Sequence, residues 1–175
     1  MAKRQTKSNE DHYEMHDEMA EKESVNALEL LKEDHREVEQ LFTSFEEADS
    51  RSRQRIADEA LRALEVHAKI EEGLVYPAIR EATDEEDMMD EAVEEHHVVK
   101  LLIKELHKMK ASADGYKAKF KVLSELVKHH VLEEEQEMFP QAEQTDIDWE
   151  EIGQEAMSIK EKMMSKSSRG QRRAA

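Results

Sequence analysis

The 175-residue sequence contains no cysteine. That excludes disulfides, zinc–thiolate sites, iron–sulfur clusters and cysteine nucleophiles. Any metal must therefore be held by nitrogen and oxygen. Glycine and proline are scarce, at four and two residues, which argues against a loop-rich or β-rich fold. Aromatic residues make up only 5% of the chain, while methionine and charged residues are plentiful, a balance that suits a helical bundle. Positive charge is in deficit: 26 Lys and Arg stand against 43 Asp and Glu, for a net charge of −17. So acidic a body disfavours nucleic acid and anionic membranes and draws cations toward itself. No run approaches the roughly 18 apolar residues of a membrane span. The opening "MAKRQTKSNEDHYEMHDEMAEKES" has basic residues with no apolar segment behind them, unlike a secretory signal. The expected compartment is the cytoplasm.

Periodicity predicts an all-α chain. Leu28, Leu31, Val38, Leu41 and Phe45 recur near the helical spacing, as do Ala57, Ala60, Leu64 and Leu74. A third stripe runs through Met89, Val93, Val99, Leu102 and Leu106, and a fourth through Tyr116, Phe120, Leu123 and Val127. Trp149, Ile152, Ala156, Ile159 and Met163 form a fifth. The first four have short connections, so an up-down-up-down four-helix bundle is expected, with an additional C-terminal helix across an end or side. Thr83 and Glu86 suit a capping box opening the third helix, and Ser112 or Asp114 suits a cap on the fourth. Pro77 and Pro140 are expected to interrupt the second and fourth helices. The organisation reads as a mobile arm over 1–23, a bundle over 24–142, an accessory helix over 143–165 and a basic disordered tail over 166–175.

The chain repeats itself. His67, Glu71, Glu72, Tyr76 and Pro77 align with His130, Glu134, Glu135, Phe139 and Pro140. One helix upstream in each half, Asp34, His35, Val38 and Leu41 align with Glu95, His96, Val99 and Leu102. Each half is thus a helix bearing one His, followed by a helix bearing His-x-x-x-Glu. The repeat selects His96 over His97 and His130 over His129; the His129–Glu133 pair is the rival frame, one residue away. His35, His67, Glu71, His96, His130 and Glu134 all fall on the apolar stripes and so point inward.

A buried carboxylate without a partner costs several kcal/mol. One inward histidine is usually a hydrogen-bonded core residue. Six such groups on four helices, in duplicate, call for a different account. A His and a Glu at i and i+4 share one helix face, so both reach one point beside the helix. Four His and two Glu exceed the four ligands that one zinc takes. They suit two metals with bridging glutamates, and the imidazole–carboxylate set favours iron over manganese or zinc.

The pattern His, His-x-x-x-Glu, His, His-x-x-x-Glu, over about residues 25–140, resembles the hemerythrin-like, or HHE cation-binding, domain family. The resemblance implies a four-helix bundle around two iron ions, bridged by two carboxylates and often an oxo or hydroxo group. The ligands it implies are His35, His67, Glu71, His96, His130 and Glu134. The ferritin-like Glu-x-x-His alternative is met only by Glu94 and His97, with no counterpart in the other half. The chain departs from the oxygen-carrying hemerythrins at two points. Lys100 stands where they have a fifth histidine, and their last carboxylate is an Asp five residues after its His. Of about twelve positions around two octahedral ions, about two then stay open rather than one. Water or Glu39, the repeat mate of Lys100, could fill them, although a surface salt bridge is the simpler role for Glu39 and Lys100.

The remaining histidines carry less. His12 and His16 make an incidental i, i+4 pair in the arm, and His97, His107 and His129 face outward or pack at the rim. Tyr76, near the expected helix break, could reach the metal shell, although a hydrophobic contact at the bundle end is the simpler role. Three functions are compatible with the pattern. The first is binding of oxygen or nitric oxide for sensing, storage or delivery. The second is a di-iron redox enzyme acting on peroxide, nitric oxide or ferrous iron, and the third is a purely structural metal site. The expected partner is a small diatomic or peroxide ligand, with no membrane and no nucleic acid on the acidic body.

Overall fold

The computed structural model describes residues 24–83 and 85–171, with side chains described as far as Ser165. The expected arm over 1–23, with His12 and His16, lies outside the described residues. All regular structure among the described residues is helical. In chain order it comprises α1 (Ala27–Glu47), α2 (Arg53–Ile70), a π-turn (Glu71–Val75), α3 (Tyr76–Ala82) and α4 (Glu86–Leu106). After these come α5 (Tyr116–Glu133), a second π-turn (Glu134–Met138), α6 (Phe139–Ala142) and α7 (Trp149–Gln171). Helices α1, α2, α4 and α5 form the antiparallel four-helix bundle, and α7 packs along α1 and α2. It continues past the expected bound at residue 165. No helix among the described residues is long and apolar enough to cross a membrane.

The core comes in two parts. Toward one end, Leu28, Leu31, Ile70, Tyr76, Ile79, Met89 and Phe139 pack together and receive Trp149 and Ala156 from α7. Toward the other, Phe42, Phe45, Leu61, Ile103, Tyr116, Phe120 and Leu123 fill the bundle. There the Phe45 and Phe120 rings stack at 3.9 Å. Between the two clusters lies a layer of six polar side chains, described below.

Both prolines are passed without a break. Tyr76 N–H bonds to the Glu71 carbonyl five residues back, and Phe139 N–H does the same to Glu134. Each wide turn resets the hydrogen-bond register, so that Pro77 and Pro140 fall in the first turns of α3 and α6. A missing N–H is tolerated there. Helical direction therefore continues where the sequence suggested interruption.

The caps also differ from expectation. Asn26 opens α1 as its side chain accepts from Leu28 and Glu29 N–H. Thr83 instead closes α3, donating its hydroxyl to the Ile79 carbonyl at 2.9 Å. The Thr83–Glu86 capping box does not form, and α4 starts without a side-chain cap. Neither Ser112 nor Asp114 caps α5; the N-cap position is Gly115 at φ +81°, a left-handed conformation that glycine adopts without strain. Val93 is 37% exposed, and Ala92 takes its inward place.

Candidate metal centre

The two π-turns begin at Glu71 and Glu134, and single π-turns inside helices recur at functional sites. Each follows a helix that ends on the His-x-x-x-Glu spacing, so His67 and Glu71, and likewise His130 and Glu134, project into the polar layer. His35 on α1 and His96 on α4 complete it. None of these six residues exceeds 7% exposure.

The four imidazoles meet in two pairs. His35 Nε2 lies 3.1 Å from His67 Nε2, and His96 Nε2 lies 3.0 Å from His130 Nε2. Each glutamate faces one histidine of either pair. Glu71 Oε1 is 3.0 Å from His67 Nε2, and its Oε2 is 3.2 Å from His96 Nε2. Glu134 Oε2 is 3.3 Å from His35 Nε2 and 3.4 Å from His130 Nε2. Donor atoms of His35, His67, Glu71 and Glu134 lie within 4.8 Å of one another, as do those of Glu71, His96 and His130.

Outer carboxylates set the ring orientations. His35 Nδ1 meets Glu135 at 2.8 Å, His96 Nδ1 meets Glu72 at 2.9 Å and His130 Nδ1 meets Glu95 at 2.6 Å. A carboxylate on Nδ1 places the proton there and turns the Nε2 lone pair inward, the arrangement that metal-binding histidines use. Asp34 faces His67 Nδ1 at the longer distance of 3.7 Å. These four acids are themselves repeat mates, Asp34 with Glu95 and Glu72 with Glu135. In the sequence they align without an evident role. The available signal was their invariant placement, one acid directly before the lone His and one directly after the Glu.

The donor set fits a cation. Both oxygens of Glu71 and Oε2 of Glu134 are buried without a hydrogen bond among the described residues. Buried carboxylate oxygens in that condition are costly, and inward lone pairs on neighbouring nitrogens add to the cost. A positive ion between them relieves both. In the metal-free protein, protons take that part. Burial pushes the Glu71 carboxyl up, but the charges of His67 and His96 outweigh it and hold it well below the usual carboxylate range. Burial pulls the His67 imidazolium down, yet Glu71, Asp34 and Glu134 raise it to about 10. His130 is raised to about 9 in the same way, by Glu134 and Glu95 against burial.

Tyr76 takes both of the roles open to it in the sequence, packing in the bundle-end core and reaching the polar layer. Its hydroxyl donates to Glu134 Oε1 at 2.7 Å and lies 3.5 Å from His96 Nε2 and 3.4 Å from His130 Nε2. Burial, then the Glu71 and Glu134 charges, raise its pKa well above the usual phenol value. Donor atoms of the rival frame, His129 and Glu133 with Glu95, also lie within 4.8 Å of one another, but outside the buried layer. His129 is 59% exposed and pairs with Glu133 and Glu95 at the surface, away from the layer. His97 and Glu39 are exposed, and His107 pairs with Glu65. Lys100 binds Glu72 at 2.6 Å.

The hemerythrin HHE cation binding domain family matches residues 26–142. The crystal structure of a hemerythrin HHE cation binding domain-containing protein from Mycobacterium kansasii superposes with a TM-score of 0.71 at 29% identity, covering 85% of this chain and 93% of that one. A DNA nickase from Nostoc sp. (strain PCC 7120) is 28% identical over 121 residues, 69% of this chain. The chain spans about a third of that relative's length, 34%. With its buried His and Glu cluster and the match running from the start of α1 to the end of α6, the chain belongs to the hemerythrin HHE cation binding domain family.

Proposed function

We propose that the chain holds two iron ions and uses them to bind a diatomic ligand, oxygen or nitric oxide, for sensing, storage or delivery. One observation carries the two-ion reading: Glu71 and Glu134 each face one histidine of the His35–His67 pair and one of the His96–His130 pair. His35 and His67 would hold one ion, His96 and His130 the other, and the two carboxylates would bridge. An iron pair supplies two adjacent redox-active centres with coordination positions left for a small ligand.

The chain's own residues set the size of that ligand. Val38, Leu64, Val99, Val127 and Val131 wall a cavity of about 20 Å³ against the four histidines. That volume admits one water-sized molecule, and its apolar wall suits oxygen or nitric oxide. The outer carboxylates hold the rings, and the bundle keeps bulk water away.

A second reading is a di-iron redox enzyme acting on peroxide, nitric oxide or ferrous iron. Tyr76 favours it, because its phenol keeps a proton beside Glu134, His96 and His130 where reduction of a bound ligand would call for one. The activity in the name of the Nostoc relative is not carried over. The match leaves most of that protein uncovered, and the acidic body here repels a phosphate backbone.

Elemental analysis tests the two-ion reading: about two irons per chain are expected, and a single metal or none overturns it. Anaerobic ferrous protein exposed to oxygen or nitric oxide then separates the two functions. A stoichiometric spectral change reversed by removing the gas supports binding. Many turnovers of peroxide or nitric oxide per chain support the enzyme.

A further inference from the structure

Three of the four inward histidines have an outer carboxylate on Nδ1 at 2.6 to 2.9 Å. His67 is the exception. Its Nδ1 is buried with no hydrogen-bond partner among the described residues, and the nearest carboxylate oxygen, Asp34 Oδ2, lies 3.7 Å away. Asp34 is itself buried, and its other oxygen takes the ammonium of Lys160.

Lys160 belongs to α7, which has no counterpart in the two-fold repeat. The helix is seated tightly beside α1. Gly153 lies against the chain just before α1, so close that a Cβ would fall 1.7 Å from the Val25 carbonyl oxygen. Two turns further on, Lys160 reaches Asp34. Among the described residues, no ammonium acts on the mate of Asp34 in the other half. Glu95, the mate of Asp34, is bonded to His130 at 2.6 Å, and its further neighbour is His129 at 3.8 Å. Glu72 does carry a lysine, with Lys100 on both of its oxygens, but His96 Nδ1 keeps its bond to Oε1 at 2.9 Å. That ammonium does not take the carboxylate from the ring.

A carboxylate on Nδ1–H strengthens the opposite nitrogen as a metal donor. An ammonium on that carboxylate offsets its charge and holds it back. We propose that Lys160 is a positioning residue that makes the His35–His67 metal position the weaker of the two. This rests on the two-ion reading above. Asp34 is also one methylene shorter than Glu95, so a short arm and an ammonium both hold it off the ring. Removing the ammonium separates these causes: Asp34, freed and fully charged, turns to His67.

The test titrates the metal-free full chain with Co²⁺, followed by visible absorption and calorimetry. The wild type should bind two Co²⁺ in two resolved steps. In Lys160→Met and Lys160→Gln the weaker step should tighten by about tenfold, with the tighter step unchanged, so that the two approach each other. Lys160→Arg keeps the charge and should retain the wild-type isotherm. Isotherms of Lys160→Met and Lys160→Gln that overlay the wild type would leave the short arm as the whole cause and overturn the proposal. Equal weakening of both steps would also overturn it, since that is the result of general loosening. Failure of the two-ion reading appears separately, as fewer than two Co²⁺ bound by the wild type, and removes this proposal with it.

Discussion

Tyr76 and Glu134 are joined by a hydrogen bond of 2.7 Å inside the polar layer, with both side chains buried. In the other half of the repeat the matching position is Phe139, whose ring stacks on His35 at 5.9 Å with an interplanar angle of 6°. At this position the two halves share a frame and differ in a single hydroxyl. Tyr76→Phe removes the donor and leaves Glu134 Oε1 unpaired. The metal-free variant should lose about 1–3 kcal/mol of stability, measured as a lower urea midpoint at unchanged slope. Metal content should not change. Loss of a metal from this variant would make Tyr76 a ligand rather than a hydrogen-bond donor to one.

Glu71→Ala and Glu134→Ala address the bridges. Each carboxylate contacts a histidine of both pairs, so losing either one removes a ligand from both ions. We expect fewer than two irons per chain in each variant, with the far-UV helical signal retained because both core clusters stay packed. Two irons per chain in both variants would sink the bridging assignment.

His130 and His129 differ by one residue and share Glu95 as a neighbour, but point to different surroundings. His130 lies in the layer, while His129 is at the surface with Glu133. His130→Ala should lose metal, and His129→Ala should retain wild-type content within error. Glu95→Gln keeps the shape of the His130 partner and removes its charge. It should cost 10- to 100-fold in metal affinity, roughly what such outer partners contribute elsewhere. Metal loss from His129→Ala with retention in His130→Ala would shift the frame by one residue.

The bundle and the six inward residues were legible because two periods agreed. The apolar stripes placed His35, His67, His96 and His130 inward, and the repeat then chose between adjacent histidines. The reach of Tyr76 into the layer was the less expected of its two roles for a physical reason. A 3.6-residue projection from Glu71 carries Tyr76 off the inner face, but the π-turn widens the step to five and brings it back over Glu71. The outer acids were hidden by abundance: with 43 Asp and Glu in the chain, an acid beside a histidine attracts no notice. Lys160 lay beyond sequence reasoning altogether. Its contact with Asp34 joins residues 126 positions apart and depends on where α7 docks.

The pH dependence of the metal-free protein follows from the protons that stand in for the cation. Glu71 is held well below its ordinary value of 4.5 by His67 and His96, against burial. Its contribution to stability is therefore present above about pH 4.5 and is lost as the pH falls through its folded value. His67 and His130 are raised from 6.5 to about 10 and about 9 by Glu71 and Glu134, again against burial. Their contribution is complete below about pH 6.5 and is lost as the pH rises through 9 and 10. Stability of the metal-free chain should therefore peak between about pH 5 and 6.5 and decline toward pH 10, read as unfolding midpoints across that range. Metal ligation requires neutral imidazole. Loading at pH 7 must then expel the protons on His67 and His130, and calorimetry in two buffers of different ionisation enthalpy should register their release. The metal-loaded protein should show no such alkaline decline. A metal-free protein that gains stability steadily from pH 6.5 to 10, or metal uptake without proton release, would mean that the inward carboxylates and imidazoles are not paired as described.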